Sequence, residues 1–198
     1  MYKTIEQIIP NNQRKQINEK ILYLIENNKC EEMQITKEDI FNSYTGEGAS
    51  WSFFSSFVSY HEYSEAKKEI ENGQFFTPHK LSRFLMECLK PTEKDLIADL
   101  TCGMGNFFNY CPNQENVYGN ELDIKAFKVA RHLYPNANLS NEDIRFYNSD
   151  IKFDFILGNP PFNLRWKVNN NEILSQLFYV QKASELMKPG RIGVNCTQ

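Results

Sequence analysis

Between Asn12 and Asn27 the apolar residues Ile17, Ile21, Leu22, Leu24 and Ile25 recur near helical spacing among Lys, Glu, Gln and Asn, which predicts an amphipathic helix. A second helix is predicted from Thr36, whose hydroxyl can cap the backbone with Asp39 three residues on, and Gly46 and Gly48 break it. Trp51, Phe53, Phe54, Phe57, Tyr60 and Tyr63 crowd the next stretch, and a charged helical continuation follows from Tyr63 to Glu71. Without interleaved Arg or Lys these aromatics read as packing residues rather than a base-stacking surface. After Gly73 the pattern changes. Thr77-Pro78 pairs a capping hydroxyl with a proline suited to the first helical position, predicting a helix from Pro78 to about Cys88.

Beyond Pro91 short apolar runs alternate with helical stretches. Strands are predicted over 96–100, 117–121, 153–157 and 191–196, with helices over 124–134 and 172–187, the latter turning Ile173, Leu177 and Phe178 inward. This alternation implies an α/β fold, a Rossmann-like doubly wound and mostly parallel sheet with helices on both faces. The expected organisation is an N-terminal helical region over 1–72 and a sheet domain over 73–198.

Composition narrows the function classes. The 198 residues contain 22 Lys+Arg and 25 Asp+Glu, a net charge of -3, so a uniformly basic nucleic-acid binder is excluded and any such contact must be local. The charge is uneven: residues 95–150 carry 4 basic and 8 acidic side chains, whereas 151–198 carry 6 and 3. Five cysteines, an odd number without a CxxC pair or a Cys/His cluster, argue against a disulfide framework and against a zinc site. No apolar run approaches the ~18 residues of a membrane span, and MYKTIEQIIP lacks the layout of a signal peptide. The chain is therefore expected in the cytoplasm, away from membranes and with reduced thiols.

Three motifs carry chemistry. D-L-T-C-G-M-G-N-F-F, 99–108, follows a predicted strand, and its two glycines let the backbone turn sharply and approach a ligand closely. Alone, it does not choose between a plain turn, a dinucleotide site and an S-adenosylmethionine site. Glu121, about twenty residues on in G-N-E-L-D, ends the next strand, where a carboxylate can accept hydrogen bonds from ribose hydroxyls or simply cap the following helix. Asn159-Pro160-Pro161-Phe162 follows the strand 153–157 through Gly158. Its two prolines remove backbone donors and stiffen the turn. The Asn159 amide oxygen and a backbone carbonyl can then accept both hydrogens of an exocyclic amine, with Phe162 flat against the ring that carries it.

Taken together, G-Q-F-F-T-P at 73–78, D-L-T-C-G-M-G-N-F-F, G-N-E-L-D, N-S-D at 148–150 and N-P-P-F resemble, in order, the S-adenosylmethionine-dependent DNA methyltransferases that act on the N6 amine of adenine. The likeness is to the modification subunits of type I restriction systems and to fused restriction-modification enzymes. It implies a class I methyltransferase fold with S-adenosylmethionine as cofactor. Gln74, Phe75, Phe76, Thr77 and Pro78 would close over the methionine end of the cofactor, and Asp99, Thr101, Cys102, Gly103 and Gly105 would surround its amino-acid portion. Glu121 would bind the ribose, and Leu122 with Asp150 the adenine ring and its amine. Asn159, Pro160 and Pro161 would present the target amine, with Phe162 stacked on an adenine flipped from the duplex. Methyl transfer would be direct, without metal or covalent enzyme intermediate.

The same resemblance implies further strands and a target-recognition domain beyond Gln198, DNA containing a target adenine as partner, and a specificity subunit or other protein that supplies target recognition. A sheet edge left open there would favour self-association. Two alternatives stand beside this reading: an interaction module that keeps the fold without activity, and an amino-methyltransferase acting on RNA or on protein glutamine. Cytosine-C5 chemistry is disfavoured, since Cys111-Pro112 reverses the order that chemistry uses and Cys102 has no neighbouring His or Lys in the sequence to activate it. His61, His79 and His132 read as surface or structural groups.

Overall fold

A computed structural model of the chain describes residues 11–45, 59, 76–161, 164–168, 171–190 and 194–195. The aromatic stretch 51–63, the charged continuation to Glu71, the glycines at 46 and 48, and residues 191–193 and 196 of the last expected strand lie outside the described residues, Ser59 apart.

Helix α1 runs over Asn11–Glu26 and α2 over Lys37–Ser43. The start of α2 is the expected capping box: Asp39 N–H donates to Thr36 Oγ1 (3.1 Å), and Thr36 N–H to Asp39 Oδ2 (3.0 Å). Helix α3 spans His79–Leu89. It begins one residue later than predicted, because Pro78 occupies the cap position and no side chain caps the turn. Thr77 is instead buried, its carbonyl accepting from Asn106 Nδ2 at 2.6 Å.

The central sheet is parallel throughout its described strands. These are β1 (Ile97–Asp99), β2 (Val117–Asn120), β3 (Asn138–Ser140), β4 (Phe155–Gly158) and β7 (Val194–Asn195), in the order β3-β2-β1-β4-β7. Helix α4 (Ile124–Leu133) links β2 to β3, and α5 (Ser175–Leu186) links β4 to β7. Order reverses at β1, so the crevice beyond the C-terminal ends of β1 and β4 is the switch point at which such sheets bind ligands.

Two cores cover the two faces. On one, Ile97, Val117, Met104, Phe107 and Phe108 pack with Val129 and Leu133 of α4, and with Ile21, Leu24, Ile40 and Phe41 of α1 and α2. The described N-terminal helices thus share a core with the sheet; Lys128 also pairs with Glu26 (2.5 Å), and Lys37 Nζ donates to Leu133 O (3.3 Å). On the other face Ala98, Leu100, Phe153 and Ile156 pack under Phe178, Tyr179, Ala183 and Leu186 of α5, with Ile144 and Tyr147.

The predicted helix 172–187 is corrected at its start. Arg165–Val168 (β5) and Asn171–Leu174 (β6) form a separate antiparallel hairpin, and α5 begins only at Ser175. Pairing of Trp166 with Ile173 across that hairpin, and of the Trp166 ring edge-on to Phe178 (5.5 Å), overrides the helical periodicity. Leu177, expected inward, is 57% exposed, whereas Phe178 is buried. Strand β3 has no counterpart among the predicted elements; its Asn-Leu-Ser sequence carries one apolar side chain. Among the described residues no helix is long and apolar enough to cross a membrane.

Candidate functional site

The glycine turn leaves β1 directly. Gly103 (φ 58°) and Gly105 (φ 84°) take left-handed backbone that residues with a Cβ rarely adopt. At Gly103 a Cβ would also meet the Phe76 ring at 2.8 Å. Phe76 stacks on Tyr44 (5.8 Å between ring centres), and Asn106 ties Thr77 to the turn, so the end of the 73–78 segment lies against the glycines. Gln74 and Phe75 lie outside the described residues.

A buried carboxylate, Asp99, and a half-buried one, Glu121, meet at this edge. Asp99 is 2% exposed and accepts a hydrogen bond from Thr101 N–H (3.0 Å). Burial raises its ionisation to about 8, with the Thr101 N–H opposing and Glu121 adding to the rise. Glu121 accepts from Gly103 N–H through Oε2 (2.7 Å) and from Asp123 N–H through Oε1 (2.8 Å). Burial likewise raises Glu121, against those backbone donors. Asp123, rather than Glu121, caps α4, accepting from Ala126 N–H at 2.8 Å. Among the described residues no salt bridge neutralises Asp99 or Glu121. A ligand presenting cationic groups and hydroxyls suits this edge, and Thr101 Oγ1, buried without a hydrogen-bond partner among the described residues, offers it a further polar contact. Burial and the same carboxylates push the Cys102 thiol well up, which keeps it protonated at neutral pH.

Asn120, 1% exposed, holds the strand ends in register. Its Nδ2 donates to Leu100 O (3.3 Å) and Glu142 O (3.0 Å), and its Oδ1 accepts from Ser140 Oγ (2.9 Å) and Glu142 N–H (3.3 Å). Next to it, Asn141 Nδ2 donates to Glu121 O (2.6 Å) and Leu122 O (3.0 Å), so the segment after β3 borders the exposed Leu122. Sequence reasoning missed Asn120, Ser140, Asn141 and Asn106, whose partners lie 19 to 29 positions away and leave no local signal. Asp150 is exposed and precedes Asp154, which Leu96 N–H (3.0 Å) and Lys188 (2.6 Å) hold at the N-terminal end of β1 and β4, opposite this cluster.

The third motif leaves β4 beside the glycine turn, since Asp99 and Leu157 are register partners. Gly158, Pro160 and the Asn159 amide oxygen are shielded from solvent. Ser175 Oγ donates to Pro161 O (2.5 Å) and Tyr179 Oη to Leu157 O, so both ends of the loop are fixed to α5. Phe162 lies outside the described residues. Among the described residues no group of three His, Cys, Asp or Glu side chains is arranged to hold a metal ion.

A parallel sheet ordered 3-2-1-4-7, with a glycine turn after β1 and acidic ends on β1 and β2, defines the class I methyltransferase fold. A Listeria monocytogenes structure assigned to the class I S-adenosylmethionine-dependent methyltransferases matches it with a TM-score of 0.53 at 13% identity, covering 93% of this chain and 72% of that one. The family follows from the sequence: the model of the N-6 DNA methylase family matches residues 57–189, and the chain belongs to that family. A type II methyltransferase, M.CvrRI, of Paramecium bursaria Chlorella virus XZ-6E is 32% identical over 111 residues, 54% of this chain and 29% of its own length. The methylase subunit of the type I restriction enzyme MjaIX of Methanocaldococcus jannaschii is 27% identical over 173 residues, 74% of this chain and 27% of its own. The chain thus spans less than a third of the length of these relatives.

Proposed function

We propose that this chain is the catalytic part of an S-adenosylmethionine-dependent methyltransferase that modifies the N6 amine of adenine in DNA. The observation that carries this reading is the register of Asp99 with Leu157, which sets the glycine turn and the Asn159-Pro160 loop side by side at the switch point. The residues present fit the cofactor. Asp99 and Thr101 would face its amino-acid portion, the left-handed Gly103 and Gly105 leave room for close backbone approach, and Glu121 keeps lone pairs for ribose hydroxyls while held by Gly103. Phe76 and Thr77 would cover the methionine end, and Leu122 with the segment after β3 the adenine ring. When bound, the cofactor supplies an electrophilic methyl group.

The chain's own part in transfer is positional. Asn159 Oδ1 and Pro160 O accept the two hydrogens of the target amine, which leaves the nitrogen lone pair aimed across the crevice toward the glycine turn. Pro161 stiffens the backbone that carries both acceptors, and Phe162 would stack on the flipped base. The target sequence is read by a specificity subunit or a further domain, as the type I relationship suggests. Incubation with methyl-labelled S-adenosylmethionine and a DNA duplex, a matched RNA or a glutamine peptide tests the reading. Label recovered as N6-methyladenine from the DNA supports it; label confined to RNA or peptide overturns the substrate assignment.

A further inference from the structure

Helix α5 holds the Asn-Pro-Pro loop at two points, and both donors lie on one face of the helix. Ser175 and Tyr179 are one turn apart. The Ser175 side chain is fully buried; its Oγ donates to Pro161 O (2.5 Å) and its backbone N–H to Leu164 O (2.9 Å). Tyr179, 1% exposed, donates its hydroxyl to Leu157 O and accepts from Leu100 N–H at 3.4 Å. The two acceptor carbonyls bracket Gly158, Asn159 and Pro160. Gly158 is part of the same arrangement, since a Cβ there would overlap the Tyr179 hydroxyl.

We propose that Ser175 and Tyr179 are positioning residues that set the acceptor geometry of Asn159 and Pro160 through the carbonyls on either side of them. Both side chains donate to backbone carbonyls that flank the two acceptors. A proline-stiffened turn fixes the backbone within the loop but not where the loop sits on the sheet. Tyr179 supplies that reference at the β4 end, where it joins β1 through Leu100 to β4 through Leu157, and Ser175 supplies it at the far end. The glycine turn and its carboxylates are held by other groups, Asn120, Gly103 and Asn106. Loosening the clamp therefore displaces the amine acceptors and leaves the cofactor side in place. A displacement of an ångström at reacting groups lowers turnover by about 100-fold.

This inference rests on the proposed function for its kinetic consequence but not for its structural one, so the test has two arms. In the first, hydrogen exchange is followed by mass spectrometry in the wild-type chain and in Ser175→Ala, Tyr179→Phe and Ser175→Thr. Faster exchange across 157–164 with unchanged exchange across 101–106 is expected for the alanine and phenylalanine variants, with Ser175→Thr close to wild type; Leu100, whose N–H donates to Tyr179, lies outside the control segment. Unchanged exchange at 157–164, or an equal rise in both segments, overturns the clamp. In the second, kcat for methyl transfer to DNA is expected to fall about 10- to 100-fold with KM for DNA and S-adenosylmethionine affinity unchanged, and Ser175→Thr restores most of the loss. A loss that appears in affinity alone, or that threonine does not restore, overturns the positioning role. If the wild-type chain binds cofactor yet methylates no DNA, the functional reading fails while the exchange arm still decides the clamp.

Discussion

Replacing Asp99 by Asn isolates the cost of the buried charge at the sheet edge. Burial moves the ionisation of Asp99 from 3.8 to about 8. Each tenfold displacement of an ionisation equilibrium corresponds to about 1.4 kcal/mol, so keeping this carboxylate ionised in the ligand-free fold costs on the order of 5 kcal/mol. The folded chain holds the proton more tightly than the unfolded one. The contribution of Asp99 to stability is therefore greatest below about pH 4, falls as the pH rises toward about 8, and levels off above that. Asparagine keeps an oxygen to accept from Thr101 N–H, but its buried amide nitrogen adds a desolvation cost of about 1–3 kcal/mol. Asp99→Asn is thus expected to stabilise the chain by about 2–4 kcal/mol near pH 8.5 and not to stabilise it near pH 4.5, where the wild-type side chain is already neutral in the fold. Urea unfolding at the two pH values measures both. The same variant should lose S-adenosylmethionine affinity by at least about tenfold, because the ligand's cationic groups lose their counter-charge. Equal stability near pH 8.5, or a stability difference that does not change with pH, would refute the reasoning.

Three other substitutions test separate parts of the fold and site. Gly158→Ala sets a methyl group against the Tyr179 hydroxyl and should cost about 1–3 kcal/mol in urea unfolding, the usual penalty of overpacking. Thr36→Ala removes the cap of α2 and is expected to cost about 1 kcal/mol by the same measurement, with cofactor affinity in calorimetry unchanged. Asn106→Ala frees Thr77 from the glycine turn and should weaken cofactor binding in calorimetry while leaving the pH dependence of stability as in wild type.

The parts of this site that sequence reveals are those whose backbone demands restrict residue type. Gly103 and Gly105 are glycines because the turn uses left-handed backbone, and the paired prolines of the 159–162 loop announce a stiff turn after a buried strand. Helix α2 was legible for a similar local reason, its reciprocal Thr36 and Asp39 cap. The hairpin 165–174 was not. Ile173 and Leu177 are four residues apart and mimic a helical face, and only the docking of Trp166 on Phe178 decides for strand. Strand β3 is short and polar, and its existence depends on the neighbouring β2. Asn120, Ser175 and Tyr179 are ordinary residues whose roles come from partners 14 to 79 positions away, contacts that no local pattern encodes. Asp150 shows the converse: an acidic residue in the expected motif order, yet exposed in the segment that leads into the N-terminal end of β4.

The central claim is that cofactor and target amine meet beyond the C-terminal ends of β1 and β4. A crystal structure of the chain with S-adenosylhomocysteine tests it most directly. The expected result is a ligand whose amino-acid portion lies against Asp99, Thr101 and Gly103, whose ribose lies on Glu121, and whose sulfur faces the Asn159-Pro160 loop. A ligand bound elsewhere on the chain, or a sulfur turned away from that loop, would contradict it.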